Sequence, residues 1–291
     1  MDQANHRWGV LALLAVTVVW GTTFPGMKGL TAELSALQII VVRFCIASLV
    51  LLPLWRGMQR TEMRWGMALG LVLFAAFLLQ VEGLVLTTSN RSAFVTGLNV
   101  ILVPIIGGLL GQRIGWRIVL ASGLACLGLL ALFWEGASWN RGDTLTLASA
   151  LFYAIYILML EALGNRYPAQ ALRPERLAAV QSATMFTVGT LWLMLSEPVA
   201  LAELADKAQR HGAELIYLGL VASALMIWLQ AWGQRRVRAV EAAILYGLEP
   251  VFAAIAAWLW LAEVLTARAL LGAVLIVAGM IISQIVPTKT P

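Results

Sequence analysis

The stretch Ala243–Trp260, AILYGLEPVFAAIAAWLW, is apolar almost throughout, yet Glu249 and Pro250 stand side by side near its centre. With its flanks the run has the roughly 20 residues needed to cross the roughly 30 Å hydrocarbon core of a bilayer. A carboxylate facing lipid at that depth costs a few kcal/mol, and proline removes a backbone donor where no water can replace it. The pair is tolerable only if it adjoins a polar cavity inside a helical bundle, so the run points to a membrane-spanning fold with a functional interior.

Composition agrees. Of 291 residues, 61% are apolar and 12% charged, against roughly 25% charged in an ordinary soluble domain. Ten apolar runs follow one another, over 8–28, 34–54, 65–86, 92–111, 116–134, 144–163, 177–196, 214–233, 239–260 and 267–286. The expected fold class is therefore an all-α integral membrane protein embedded in a lipid bilayer. The first run continues into WGTTFPGM without a small-residue cleavage site, so it reads as a retained span and not a signal peptide. The longest break, Glu197 to Ala213, is too short for an extramembrane domain, which places any function within the helices.

Arginine and lysine fix the expected orientation. With the first residues in the cytoplasm, thirteen basic residues fall on inside segments and six on outside ones, while Arg43 lies within the second span. This predicts both termini inside and an even number of spans in the cell (inner or plasma) membrane. The same bias accounts for the net charge of +5, so no nucleic-acid partner is expected. Cys45 and Cys126 sit inside apolar runs and form no metal-binding or disulfide pattern. No cofactor or metal is expected.

The chain also carries an internal duplication. GQRIGWRIVLASGLACLGLLAL (111–132) and AEVLTARALLGAVLIVAGMII (262–282) share a polar break, an arginine (Arg117, Arg268) and a glycine (Gly128, Gly279) at an offset of 151. VVWGTTF in the first span answers LFYAIYI in the sixth at about 133, and Pro104 answers Pro250 at 146. The repeat is five spans plus five, over residues 1–137 and 138–291. Because five is odd, the second copy enters from the opposite side, and the halves are expected to be inverted repeats, as in secondary transporters.

These residues resemble a known family. VVWGTTFPGMK, VVRFCIASLVLLP, LTTSNRSAFVTGLNVILVPIIGGLL, LQAWGQRRVRAVEAAILYGLEPVFAAIAAWLWLAE and LLGAVLIVAGMII are similar to the EamA family of the drug/metabolite transporter superfamily. The most specific piece is the eighth-to-ninth-span block containing LEP. The resemblance implies ten helices in two inverted five-helix repeats around a central cavity, moving small metabolites, often outward, by alternating access. Ala262 precedes Glu263 where the family usually has glycine, and the matching site in the first half holds Gln112.

Polar and aromatic residues deep in the spans are the candidates for substrate contact. They are Trp20, Thr23, Glu82, Asn99, Tyr153, Gln230, Tyr246 and Glu249. Glu249 is the foremost, as a proton carrier or as the fixed partner of a cationic group, and Arg43 is its expected internal partner. Gln80 and Glu82 point to different faces, and the costlier Glu82 is the expected cavity residue. Pro104 and Pro250 free a carbonyl on the preceding turn and are candidates for gating. Trp8, Trp55, Trp65, Trp116, Trp134, Trp139, Trp258 and Trp260 lie near span ends and read as interfacial anchors. The pairs Gly66/Gly70, Gly107/Gly111 and Ala253/Ala257 mark close helix contacts, within the chain or in a homodimer.

The function expected is a secondary transporter exporting small metabolites such as amino acids, with proton coupling permitted by Glu249 and Glu82. A channel or lipid scramblase is the alternative; a channel would favour a ring of polar residues along one path. An intramembrane lipid-modifying enzyme is least favoured, because His6 and His211 lie outside the spans, as do Asp2, Asp143 and Asp206, and neither HExxH nor GxSxG occurs.

Overall fold

Helix starts in this chain are set by short capping sequences. Ser35 Oγ accepts the Gln38 N–H at 3.2 Å while Gln38 Oε1 accepts the Ser35 N–H at 2.9 Å. This reciprocal box satisfies two helix-end donors. Asn140 and Asp143 form the same box, at 3.1 and 2.9 Å, and Glu62 accepts the Gln59 N–H at 2.8 Å.

The computed structural model describes residues 3–133, 138–168, 171–261 and 266–284, which contain helices and no strand. α1 (Gln3–Leu30), α2 (Ala36–Leu51), α3 (Arg60–Leu86), α4 (Ser89–Gly97), α5 (Asn99–Leu109) and α6 (Trp116–Phe133) make up the first part. α7 (Arg141–Arg166), α8 (Pro174–Ser196) and three short helices, α9 (Pro198–Ala202), α10 (Leu204–Arg210) and α11 (Gly212–Ile216), follow. A π-helical segment, Tyr217–Leu225, leads into α12 (Met226–Gln234), then α13 (Ala239–Tyr246), α14 (Glu249–Leu261) and α15 (Ala267–Gln284). Eight helical stretches are long and apolar enough to cross a membrane, and Trp116–Ala131 and Ala267–Ser283 are shorter apolar helices. Trp134, Ala262, Glu263 and Lys289, and the side chains of Ala257 and Trp260, lie outside the described residues.

Besides the run over 34–54, which ends in the 3₁₀ segment Leu52–Trp55, three apolar runs are not continuous α-helix. The run expected over 214–233 contains the π-helical segment, and those over 92–111 and 239–260 break at Leu98 and at Gly247–Leu248. Pro250 occupies the second position of α14, where its missing N–H falls among donors that lack intrahelical partners anyway. Pro104 differs from expectation: it lies inside α5, and the break precedes it by six residues, at Leu98.

Glycines set the closest contacts. A Cβ on Gly128 in α6 would lie 2.6 Å from Gly272 O in α15, and one on Gly279 would lie 2.6 Å from Ala121 O. The two contacts are reciprocal at one offset, since 279 − 128 = 151 and 272 − 121 = 151. Gly83 and Gly142 abut between α3 and α7, and Gly9 and Gly233 between α1 and α12. Gly66 and Gly70 meet Val180 and Thr184 of α8, and Gly21 meets the backbone of Glu249 and Ala253. The small-residue pairs at 66/70 and at Ala253 thus serve contacts within one chain. Two buried apolar clusters result, one around α1, α5, α6 and α13, the other around α2, α3, α7 and α8. The candidate site lies where they meet.

Candidate functional site

The two broken helices supply the centre of the site. Thr96-Gly97-Leu98-Asn99 and Tyr246-Gly247-Leu248-Glu249 occupy the same place in their respective breaks, at an offset of 249 − 99 = 150. In both, the Gly-Leu step ends one helix, and a polar residue, Asn99 or Glu249, opens the next. The breaks touch: a Cβ on Gly97 would lie 3.3 Å from Pro250 Cγ. The structure therefore pairs Glu249 with Asn99 and not Pro250 with Pro104.

Around them lies a partly open cavity of about 440 Å³, a volume that includes the space at its mouth. Trp20, Thr23 and Met27 of α1, Arg43 of α2, and Phe77 and Gln80 of α3 line one part. Thr96, Asn99, Tyr153 and Ile157 line a second, and Gln230, Tyr246 and Glu249 the rest.

Hydrogen bonds hold much of this wall rigid. Tyr153 Oη donates to Gln80 Oε1 at 3.1 Å, and Gln80 Nε2 donates to Thr96 Oγ1 at 3.3 Å. Tyr246 Oη donates to Gln234 Oε1 at 3.4 Å, and its ring lies 6.1 Å from that of Trp20. Thr23 returns its hydroxyl to Trp20 O at 2.7 Å, so it presents mainly its methyl group.

Arg43 is built into the wall through the π-helical segment, whose extra residue per turn displaces the regular hydrogen-bond ladder. Arg43 Nε donates to Ser223 Oγ, and Arg43 Nη2 donates to Ala222 O at 3.1 Å. The same carbonyl accepts Trp20 Nε1–H at 2.9 Å, and Ser223 Oγ donates onward to Leu218 O at 2.7 Å. The guanidinium carbon stands 4.6 Å from the Phe77 ring centroid, a cation–π distance. The expected Arg43–Glu249 ion pair is not formed. Glu249, 9% exposed, receives no hydrogen bond and makes no ion pair among the described residues. Asn99 Oδ1 and Gln230 Oε1 are buried and likewise without a donor.

A sequence profile of the EamA-like transporter family matches residues 7–134 and again residues 140–284. The chain belongs to the EamA-like transporter family. An uncharacterized transporter of Archaeoglobus fulgidus is 32% identical over 97% of this chain and 87% of its own length. A "Probable terminal-alkyne amino-acid exporter" of Streptantibioticus cattleyicolor is 26% identical over 94% of this chain and 92% of its own. A solved crystal structure superposes with TM-score 0.75 at 17% identity, covering 95% of this chain and 98% of that one, and so shares the fold.

Within this EamA-like fold, Trp20, Thr23, Arg43, Asn99, Tyr153, Gln230, Tyr246 and Glu249 converge on one cavity. Glu82 does not. It stands two residues beyond Gln80, about 200° around the helix, and Gln80 takes the cavity place that was expected of Glu82. An amide can be satisfied there by Tyr153 and Thr96, whereas a second carboxylate would have met the Tyr153 hydroxyl alone. Neither Pro104, buried inside α5, nor Pro250 is among the lining residues; Pro250 follows Glu249 and lies against Gly97. Met27, Phe77, Gln80, Thr96 and Ile157 complete the lining. Gln80 was legible as the mate of Gln230 at the same offset of 150, a signal that depth alone does not reveal. Among the described residues no cluster of His, Cys, Asp or Glu could hold a metal.

Proposed function

We propose that this EamA-like protein is a secondary transporter that exports small metabolites such as amino acids by alternating access. In this reading its ten apolar helices form two inverted five-helix repeats, with both termini in the cytoplasm and the chain in the cell (inner or plasma) membrane. The observation that carries the reading is the cavity at the meeting point of two helices broken at matching positions, Leu98 and Leu248. Discontinuous helices whose half-helix ends face the midplane are how transporters place substrate sites. The double match of the family profile and the reciprocal Gly128 and Gly279 contacts support the two-repeat reading. The Streptantibioticus relative supports amino acids as the substrate class.

Counterflow tests it. Proteoliposomes loaded with a mixture of L-amino acids should accumulate radiolabelled L-amino acids from outside, saturably. No accumulation across the full mixture would overturn the amino-acid assignment, and a non-saturable flux without countertransport would replace the transporter by a channel.

A further inference from the structure

Three acceptor groups of the cavity meet no donor among the described residues. They are the Glu249 carboxylate, on a residue 9% exposed, and the buried Asn99 Oδ1 and Gln230 Oε1, on residues 6% and 1% exposed. Unpaired, such groups cost about 1–3 kcal/mol each, more for a charge, and gathered in one cavity they are complementary to a ligand with several donors. Other polar members of the wall do not share this need: Gln80 and Tyr153 satisfy each other, and Arg43 is bonded to Ser223 and Ala222. The set is one carboxylate and two side-chain amides whose oxygens meet no donor. A primary ammonium, with one positive charge and three N–H donors, matches that set. Calcium and magnesium match it poorly, because a single carboxylate and two amide oxygens fall short of the ligand count of calcium, and magnesium retains water in preference to such sites. Arg43, the one cation of the lining among the described residues, repels an ammonium and leaves the Glu249 wall as its place.

We propose that the cavity recognises its substrates by a protonated primary amine held by the Glu249 carboxylate together with the amide oxygens of Asn99 and Gln230. This deepens the transport reading above, and rests on it for the choice of substrate. Asn99 and Glu249 are equivalent across the 150-residue offset, so the carboxylate has a defined alternative position. Moving it there provides a test that a purely structural role would fail.

The experiment uses the full chain in proteoliposomes, with counterflow of the radiolabelled L-amino acid mixture competed by the N-acetylated mixture and by phenethylammonium. Wild-type exchange should be competed by phenethylammonium and by unlabelled amino acids, and at least tenfold less well by the N-acetylated mixture. Glu249→Gln, nearly isosteric, should lower exchange roughly ten- to hundredfold, the range for losing one charge-assisted contact. The double variant Asn99→Glu with Glu249→Gln should recover at least part of it. Size-exclusion elution and thermal unfolding confirm that each variant is folded. Competition by N-acetylated amino acids equal to that by free ones overturns the proposal, as does Glu249→Gln exchange within twofold of wild type with only pH-driven uptake lost, which would make Glu249 a proton carrier. If wild-type protein exchanges no amino acid, the substrate assignment has failed separately. Thermal shift with phenethylammonium then decides the ammonium site: stabilisation of wild type but not of Glu249→Gln supports it, and no stabilisation of either overturns it.

Discussion

The bond from Arg43 to Ser223 gives a quantitative test of how the cavity wall is held. Ser223→Ala removes the acceptor of Arg43 Nε and the hydroxyl that reaches Leu218 O, leaving a buried guanidinium N–H without a partner. Interhelical hydrogen bonds measured in membrane proteins average about 0.6 kcal/mol, but those bonds are mostly neutral, and bonds to charged groups are worth about 1.5–3 kcal/mol. Arg43 is 2% exposed, so water cannot substitute. The charged figure therefore governs, and Ser223→Ala should cost about 1.5–2.5 kcal/mol. Arg43→Met removes the bond to Ala222 O as well, yet it also removes the desolvated charge, and Ala222 O keeps its bond from Trp20. Its cost should be similar, about 1–3 kcal/mol. The double variant should cost little more than Arg43→Met alone, giving a coupling of about 1.5 kcal/mol in a double-mutant cycle. Thermal unfolding in detergent, followed by tryptophan fluorescence, reads this as a drop of roughly 3–8 °C for Ser223→Ala. Additive single effects, or Ser223→Ala within about 0.5 kcal/mol of wild type, would refute the view that the π-helical segment exists to seat Arg43.

Three further outcomes are expected. Gly128→Ala and Gly279→Ala each place a Cβ 2.6 Å from a carbonyl oxygen and should each cost about 1–3 kcal/mol by overpacking; the double should cost less than the sum, because one separation of α6 from α15 relieves both, and additive costs would count against a shared contact. Asp143 is almost fully buried against Arg91 and accepts from Thr87 at 3.1 Å, so Asp143→Asn should destabilise by about 3 kcal/mol, whereas Glu241→Gln, whose partner His6 stands 3.9 Å away, should cost far less; equal losses would refute the ranking. Glu33 is held below the usual carboxylate range by a hydrogen bond from His211, with further help from the charges of His211 and Arg210; its contribution is present above that range and lost as pH falls through its depressed value, so the acid limb of a stability profile should flatten in Glu33→Gln, and an unchanged limb would argue otherwise.

Much of this architecture was legible because the bilayer imposes a simple rule: each span needs about 20 apolar residues, so composition alone locates helices. The convergence of Trp20, Tyr153, Asn99, Tyr246 and Glu249 was legible for the related reason that a polar or aromatic group at mid-depth has few places to go. What depth could not settle was direction around the helix, and there Glu82 was chosen over Gln80 on cost alone. The position of the breaks was hidden for a different reason. Proline is the visible helix breaker, yet in α14 it sits in the tolerated first turn and in α5 inside the helix, while the breaks fall at Gly97-Leu98 and Gly247-Leu248. The π-helical segment left no mark in composition; its contacts, Ala222 O and Ser223 Oγ against Trp20 and Arg43, are made across the fold and not along the chain.

Under the two-repeat reading proposed above, the offsets also mark where the residues of the two halves differ. Gly219 packs on Ile46 and Arg43 as Gly70 packs on Thr184 and Gln181, with 184 − 46 = 138 and 181 − 43 = 138, so Gln181 is the mate of Arg43. By the same reasoning Tyr156 is the mate of Thr23 and Leu160 that of Met27, at 156 − 23 = 133 and 160 − 27 = 133. Thr23, Met27 and Arg43 line the cavity, whereas Gln181 is fully buried, Tyr156 donates to it at 2.7 Å, and Leu160 lies in the second apolar cluster. The cavity is therefore lined by α1 residues that follow Trp20 and not by their counterparts, where the buried Tyr156–Gln181 bond lies instead. If inverted halves exchange conformations during transport, as proposed above, that bond must open when the Arg43 side closes, and the exchange is chemically unequal: a neutral hydrogen bond stands on one side and a bonded arginine on the other. On that reading a neutral bond is the cheaper to break, and the difference between Arg43 and Gln181 would set which side of the cavity opens with less work.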